Sequence, residues 1–215
     1  MDLTLLIAIF AIAGAMLGFA ADRLSVRWPA HQPGYQPRGL DWRAIVLVAT
    51  GAVVFGGLVV RWEDDPRSLI LLGIVAGALV VLLATDLDQK ILPDLITLPL
   101  IGLTAAILLL GWSPLLAGKE LGVVSGIAGG VVAPAFLFIT DRLLRGDLGD
   151  GDLKLALGMG MLNGLSLLVT GLLAASIGFS AVLLLLIATR RISLRSAVPF
   201  GPVLIATAFV AMLIG

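Results

Sequence analysis

The sequence predicts an all-α protein, a polytopic bundle of membrane helices with about eight transmembrane segments, one of them short. Three observations lead to that class. Of the 215 residues, 60% are hydrophobic and only 13% are charged, and the mean hydropathy is +1.12; soluble domains are closer to half apolar and a quarter charged. The apolar residues fall in uncharged runs long enough to cross a bilayer as helix, which takes about 20 residues. Those runs are continuously apolar and do not alternate as the strands of a membrane barrel do.

In chain order, spans are read at residues 3–21, 44–60, 69–85, 95–112, 121–140, 165–189 and 197–215. The first is not read as a cleavable signal, because Asp2 precedes it and its basic residues come after it. Segment 155–162 is apolar but too short to span alone. It is expected to be a short, tilted or re-entrant helix, broken from the next by Asn163-Gly164. The longest polar stretch, residues 22–43, carries Pro29, Pro33 and Pro37 and is too short to fold alone. No composition shift divides the chain, so residues 1–215 are read as a single integral membrane domain. Trp28, Trp42, Trp62 and Trp112 lie at or near span ends, as interfacial anchors do.

Orientation follows from the lysines and arginines. Arg61, Arg67 and Lys119 fall on one face, and the other eleven fall on the opposite face, provided that 155–162 counts as a crossing. The rich face is expected to be cytoplasmic, with both termini outside.

Composition also removes chemistries. Formal net charge is zero, so nothing points to nucleic acid as a partner. The absence of cysteine excludes disulfides, thiolate zinc sites and cysteine nucleophiles. The single histidine, His31, lies in the Pro-rich loop, and no H-E-x-x-H or phosphate-binding loop is present. What remains is carboxylate.

Acidic residues gather at two points on the basic face. Asp86, Asp88 and Asp94 lie in "ATDLDQKILPDLITLPL", and Asp147, Asp150 and Asp152 in "RGDLGDGDLKLALGMG". An ionisable group within a membrane helix costs roughly 2.5–3.5 kcal/mol at its centre. Asp86 directly follows seventeen uncharged residues, and Asp152 directly precedes an apolar run, so each is expected to be the deepest of its cluster. Asp88 is read as lying further along the loop. Two close carboxylates share a proton; the ionised one takes a proton from water and the protonated one polarises a carbonyl. Gly149 and Gly151 would permit close backbone approach or positive φ, and Gly158 and Gly160 close helix packing. The plain alternative is that Asp147, Asp150 and Asp152 cap a helix N-terminus and Asp94 merely starts one. A calcium loop lacks its expected glycine and glutamate spacing.

Gly149-Asp150-Gly151-Asp152, followed by Leu153-Lys154-Leu155, resembles the G-x-G-D-x-K-L signature of type IV prepilin peptidases, which belong to the GxGD membrane aspartic proteases. Asp86, Pro93 and Asp94, with "LITLPL" after them, resemble the family's first aspartate motif. "VPFGPVLIA" resembles its last helix, and "GAMLGFAADRL" resembles its first more weakly. The resemblance implies an intramembrane endopeptidase of a prokaryotic inner membrane that cuts basic leaders from prepilin-like proteins at the cytoplasmic face. It implies Asp86 and Asp152 as catalytic residues, with Gly149, Asp150, Gly151, Lys154, Pro93 and Asp94 in support. The partners are a prepilin or pseudopilin, with its leader and N-terminal apolar helix, and the bilayer. No metal or organic cofactor is expected.

Two departures are noted. Longer family members carry a cysteine-bearing zinc insert after the first helix, linked to N-methylation; here residues 22–43 hold no cysteine, so a peptidase without that activity is expected. The variable motif position is Asp150, an extra carboxylate for which Lys154 and Arg145 are candidate partners. The alternative function is a cation- or proton-coupled transporter with aspartates at the membrane edge; it differs in that Asp86 and Asp152 would line separate points of a pathway.

Overall fold

The computed structural model describes residues 2–29, 38–118, 121–144, 149–188 and 201–215. His31, Lys119, Arg145, Asp147, Arg190, Arg191, Arg195 and the start of "VPFGPVLIA" lie outside the described residues. Among the described residues seven helical elements follow in order: α1 Leu3–Ser25, α2 Trp42–Trp62, α3 Pro66–Gln89, α4 Asp94–Leu109, α5 Gly122–Leu144, α6 Asp150–Ala188 and α7 Gly201–Ile214. No strand occurs among the described residues. Five of the helices have stretches long and apolar enough to cross a membrane, and α4 and α7 are shorter apolar helices. The protein is a multi-pass membrane protein.

Helix starts follow from local sequence. Asp2, Asp41 and Asp65 cap α1, α2 and α3, their carboxylates accepting from the amides of Thr4, Arg43 and Ser68. The Ser68 hydroxyl and amide hold the Asp65 carboxyl below its usual range. Pro66 occupies the first turn of α3, where a missing N–H does no harm. Lys90 ends α3 in the left-handed conformation at φ 55°, its N–H bonded to the Asp86 carbonyl at 2.9 Å. The tryptophans mark helix ends as expected: Trp42 opens α2, and Trp62 closes it, donating from Nε1 to the Met212 carbonyl at 2.9 Å. Trp112 follows α4, with the Arg67 guanidinium 4.1 Å from its ring centre.

The helices pack in two groups, α1–α2–α3 and α4–α5–α6, with α7 touching α2, α3 and α6. Each group is drawn together by small residues. A methyl group on Gly14 or Gly51 would overlap the other's carbonyl between α1 and α2, and the same holds for Gly129 and Gly160 between α5 and α6. Close backbone approach of this kind is how membrane helices gain packing when lipid is as apolar as they are. Among the described residues α3 and α6 do not pack on each other.

Helix α6 is not straight. Gly164 has φ 63° and ψ 179°, a conformation open to glycine alone. Ala156 and Leu172 line one small cavity with Val132, Ala133, Phe136 and Leu137 of α5, although about 24 Å would separate them on a straight helix. The chain therefore doubles back at Gly164, and the amide of Leu165, freed by the break, donates to Ser125 Oγ of α5 at 2.9 Å. The break falls where Asn163-Gly164 predicts it. The segments read separately at 155–162 and 165–189 form the two legs of this bent element, one on each side of Gly164.

Gly129→Val is expected to destabilise the protein by roughly 1–3 kcal/mol through overpacking against Gly160, read as a lowered unfolding midpoint in detergent. Gly73→Val, where no atom lies within 4 Å of the added carbon, is the matched control and should leave the midpoint in place.

Candidate active site

Asp86 sits in the penultimate turn of α3, only 5% exposed, at the end of a helix whose Leu72, Val75, Leu79 and Leu82 are fully buried. Its Oδ2 atom is buried and has no hydrogen-bond partner among the described residues. It lies against the first residue of α7, where a methyl group on Gly201 would come within 2.5 Å of it. Asp152 occupies the first turn of α6 and is half-buried; its amide donates to the Gly149 carbonyl at 3.0 Å. The Asp86 and Asp152 carboxylates lie within electrostatic reach of each other, and Lys90 acts on Asp86 with the opposite sign.

Since α3 and α6 do not pack together, other contacts must set this approach. The connection 90–93 supplies them. A methyl group on Gly151 would lie 2.8 Å from Leu92 Cβ, so the glycine before Asp152 lets the start of α6 press onto the connection that follows Asp86. Pro93 caps α4 and accepts from the Thr97 hydroxyl at 3.2 Å. Asp94, the first residue of α4, accepts from Lys154 Nζ at 2.6 Å. The supporting residues of the two motifs thus hold the first turns of α4 and α6 together, two residues from Asp152.

Several expectations change. Lys154 is bonded to Asp94 and not to Asp150, because the start of α4 packs on α6 within reach of the lysine stem. Asp150 is exposed in the first turn of α6. Among the described residues the nearest contact of a carbon added at Gly149 is Asp152 Oδ2 at 3.8 Å. Gly158 is likewise in ordinary contact with α4. Asp88 is not on a loop. It lies in the last turn of α3 with its side chain 1% exposed, and accepts from Arg38 Nε at 2.7 Å and Arg43 Nη1 at 2.9 Å.

Asp88 belongs to an ion network that sequence reasoning missed. Arg38 also donates to Asp22 at 2.5 Å and to Asp41 at 2.8 Å, and Arg23 pairs with Asp22, whose side chain is fully buried. Burial works against the Arg38 charge, but Asp22 and Asp88 outweigh it and raise its pKa above the usual value. The available signal was the interleaving of aspartates and arginines through residues 22–43. Among the described residues no three carboxylate or histidine side chains gather closely enough to hold a metal ion.

The family profile described as "type IV leader peptidase family" matches residues 73–189, a stretch holding both Asp86 and Asp152. The chain belongs to the type IV leader peptidase family. Within it, the chain is 32% identical over 164 residues to a "Prepilin leader peptidase/N-methyltransferase" of Burkholderia pseudomallei (strain 1026b), covering 75% of this chain and 51% of the relative. It is 30% identical over 197 residues to one from Pseudomonas putida, covering 90% and 61%. The chain therefore spans about half to three-fifths of the length of these leader peptidase relatives. No solved structure gives a significant match.

The Lys154–Asp94 pair is half-exposed, with 34% and 57% of the two side chains open, so its coupling should be modest. A double-mutant cycle with Lys154→Ala and Asp94→Ala, measured by equilibrium unfolding, is expected to give roughly 0.2–1 kcal/mol. A coupling of zero would mean that the pair does not join α4 to α6.

Proposed function

We propose that this chain is an aspartic endopeptidase of the inner membrane that removes the basic leader of prepilin-like proteins at the cytoplasmic face. The reading is supported by Asp86 at the end of α3 lying within electrostatic reach of Asp152 at the start of α6, with Asp86 beside the side-chain-free Gly201. Convergence favours a peptidase over the transporter alternative, in which the two carboxylates would stand apart along a pathway.

In this reading one carboxylate is ionised and the other protonated. The ionised one takes a proton from a water molecule as its oxygen attacks the scissile carbonyl carbon, and the protonated one donates to the carbonyl oxygen. The tetrahedral intermediate then collapses: the carboxyl that took the water's proton passes one to the leaving nitrogen, the now ionised carboxylate takes a hydroxyl proton from the diol, the C–N bond breaks, and the pair again holds one proton. Lys90 helps to balance the charge of this acidic site. The same chain cleaves without methylating, since the connection between α1 and α2 is short and has no thiolate with which to build a zinc site of the cysteine type.

The test is cleavage of a purified prepilin by the chain in proteoliposomes. Asp86→Asn and Asp152→Asn are each expected to lower the rate by at least about 10³-fold. Gly201→Ala should be slowed as well, because its methyl group meets Asp86. The mature product, made with S-adenosylmethionine present, is expected to carry a free N-terminal amine by mass spectrometry. Full cleavage by either asparagine variant would overturn the dyad, and a methylated product would overturn the separation of the two activities.

A further inference from the structure

Two fully buried carboxylates near the site, Asp22 and Asp88, take no part in the proposed chemistry, and both are held by one arginine. We propose that Arg38 is a positioning residue: by gathering Asp22, Asp41 and Asp88 on one guanidinium, it fixes the last turn of α3 and with it the direction in which Asp86 points. The proposal rests on the reading of Asp86 as a reacting carboxylate.

Helix geometry supplies the link. Asp86 and Asp88 are two residues apart on α3, which turns them about 200° from each other around the helix axis. Asp88 meets the arginines of the α1–α2 connection, and Asp86 meets α7 and the charge of Asp152. Holding one from its side therefore sets the rotation of the other.

The end of α3 needs such a hold. Past Asp86 it runs only to Gln89 before the left-handed Lys90. It touches α4 lightly and does not pack on α6. On its Asp86 side it meets the glycine that opens α7; its polar contacts are on the opposite side, where Gln89 Nε2 donates to the Ser25 carbonyl at 2.7 Å and Asp88 takes the two arginines.

Arg38 suits the task because its three nitrogens point three ways in one plane. Nε reaches α3 through Asp88, Nη2 reaches α1 through Asp22, and Nη1 reaches Asp41, the cap of α2. The ends of three helices are tied at a single rigid fork. A lysine keeps the charge against the buried carboxylates but offers a compact ammonium in place of the planar fork, so Arg38→Lys separates positioning from charge compensation.

The experiment uses the full chain, which has no native cysteine. Spin labels on Ile91→Cys, just past α3, and Asp150→Cys, at the start of α6, report the spacing across the site by double electron–electron resonance. Rates are taken on unlabelled chains. In Arg38→Lys the distance distribution is expected to broaden or shift. Its kcat should fall about 10- to 100-fold, with KM within about twofold. Arg61→Lys, far from the site, should leave both as they are. If Arg38→Lys does not fold, Asp88→Glu keeps the charge and displaces the contact, and its distribution should shift likewise. An unchanged distribution, or a loss confined to KM, would reject the proposal. The distance needs no substrate, so it judges the clamp separately from the dyad, which stands or falls with the activity of Asp86→Asn.

Discussion

Everything at the site end depends on bringing together two carboxylates whose helices do not pack on each other. Asp86 ends the most enclosed helix of one group, and Asp152 begins a helix of the other. A direct α3–α6 interface would have placed them by ridge-and-groove packing alone. Here the approach is set by the short connection 90–93, by the Lys154–Asp94 pair and by the start of α7.

Glycine is used where two surfaces must come closer than a side chain allows. Gly151 lets α6 meet Leu92, Gly201 lets α7 reach Asp86, and Gly129 with Gly160 brings α5 onto α6. Gly164 works differently, since only its conformational freedom permits the reversal of α6. These positions turn an apolar chain with little charge into a site holding a buried carboxylate with no hydrogen-bond donor on Oδ2 among the described residues. Such a group in a membrane helix is costly.

Much of this was legible in the sequence. Long uncharged runs announce membrane helices because the bilayer fixes their length, and Asn163-Gly164 announces the break because it interrupts one. The aspartates at 86 and 152 stood out because one directly follows an uncharged run and the other directly precedes an apolar one. Asp88 was misread for the same reason: two residues past a run look like loop, yet α3 continues to Gln89 because arginines some 45 and 50 residues earlier receive the carboxylate. Pairings that far apart leave no periodic trace. Neither does the contact of Gly201 with Asp86, which depends on how α7 returns to the first group. The partner of Lys154 was misjudged because one helix face was considered without its neighbour α4.

The approach of the two carboxylates is tested most directly by paired cysteines at positions 86 and 152, bridged in native membranes with a short bifunctional thiol reagent. Intramolecular bridging is expected without any substrate, as readily as for a pair at 94 and 154, where the side chains are in contact. Bridging at 94 and 154 with none at 86 and 152 would contradict the account, because the joint would then form without bringing the aspartates together.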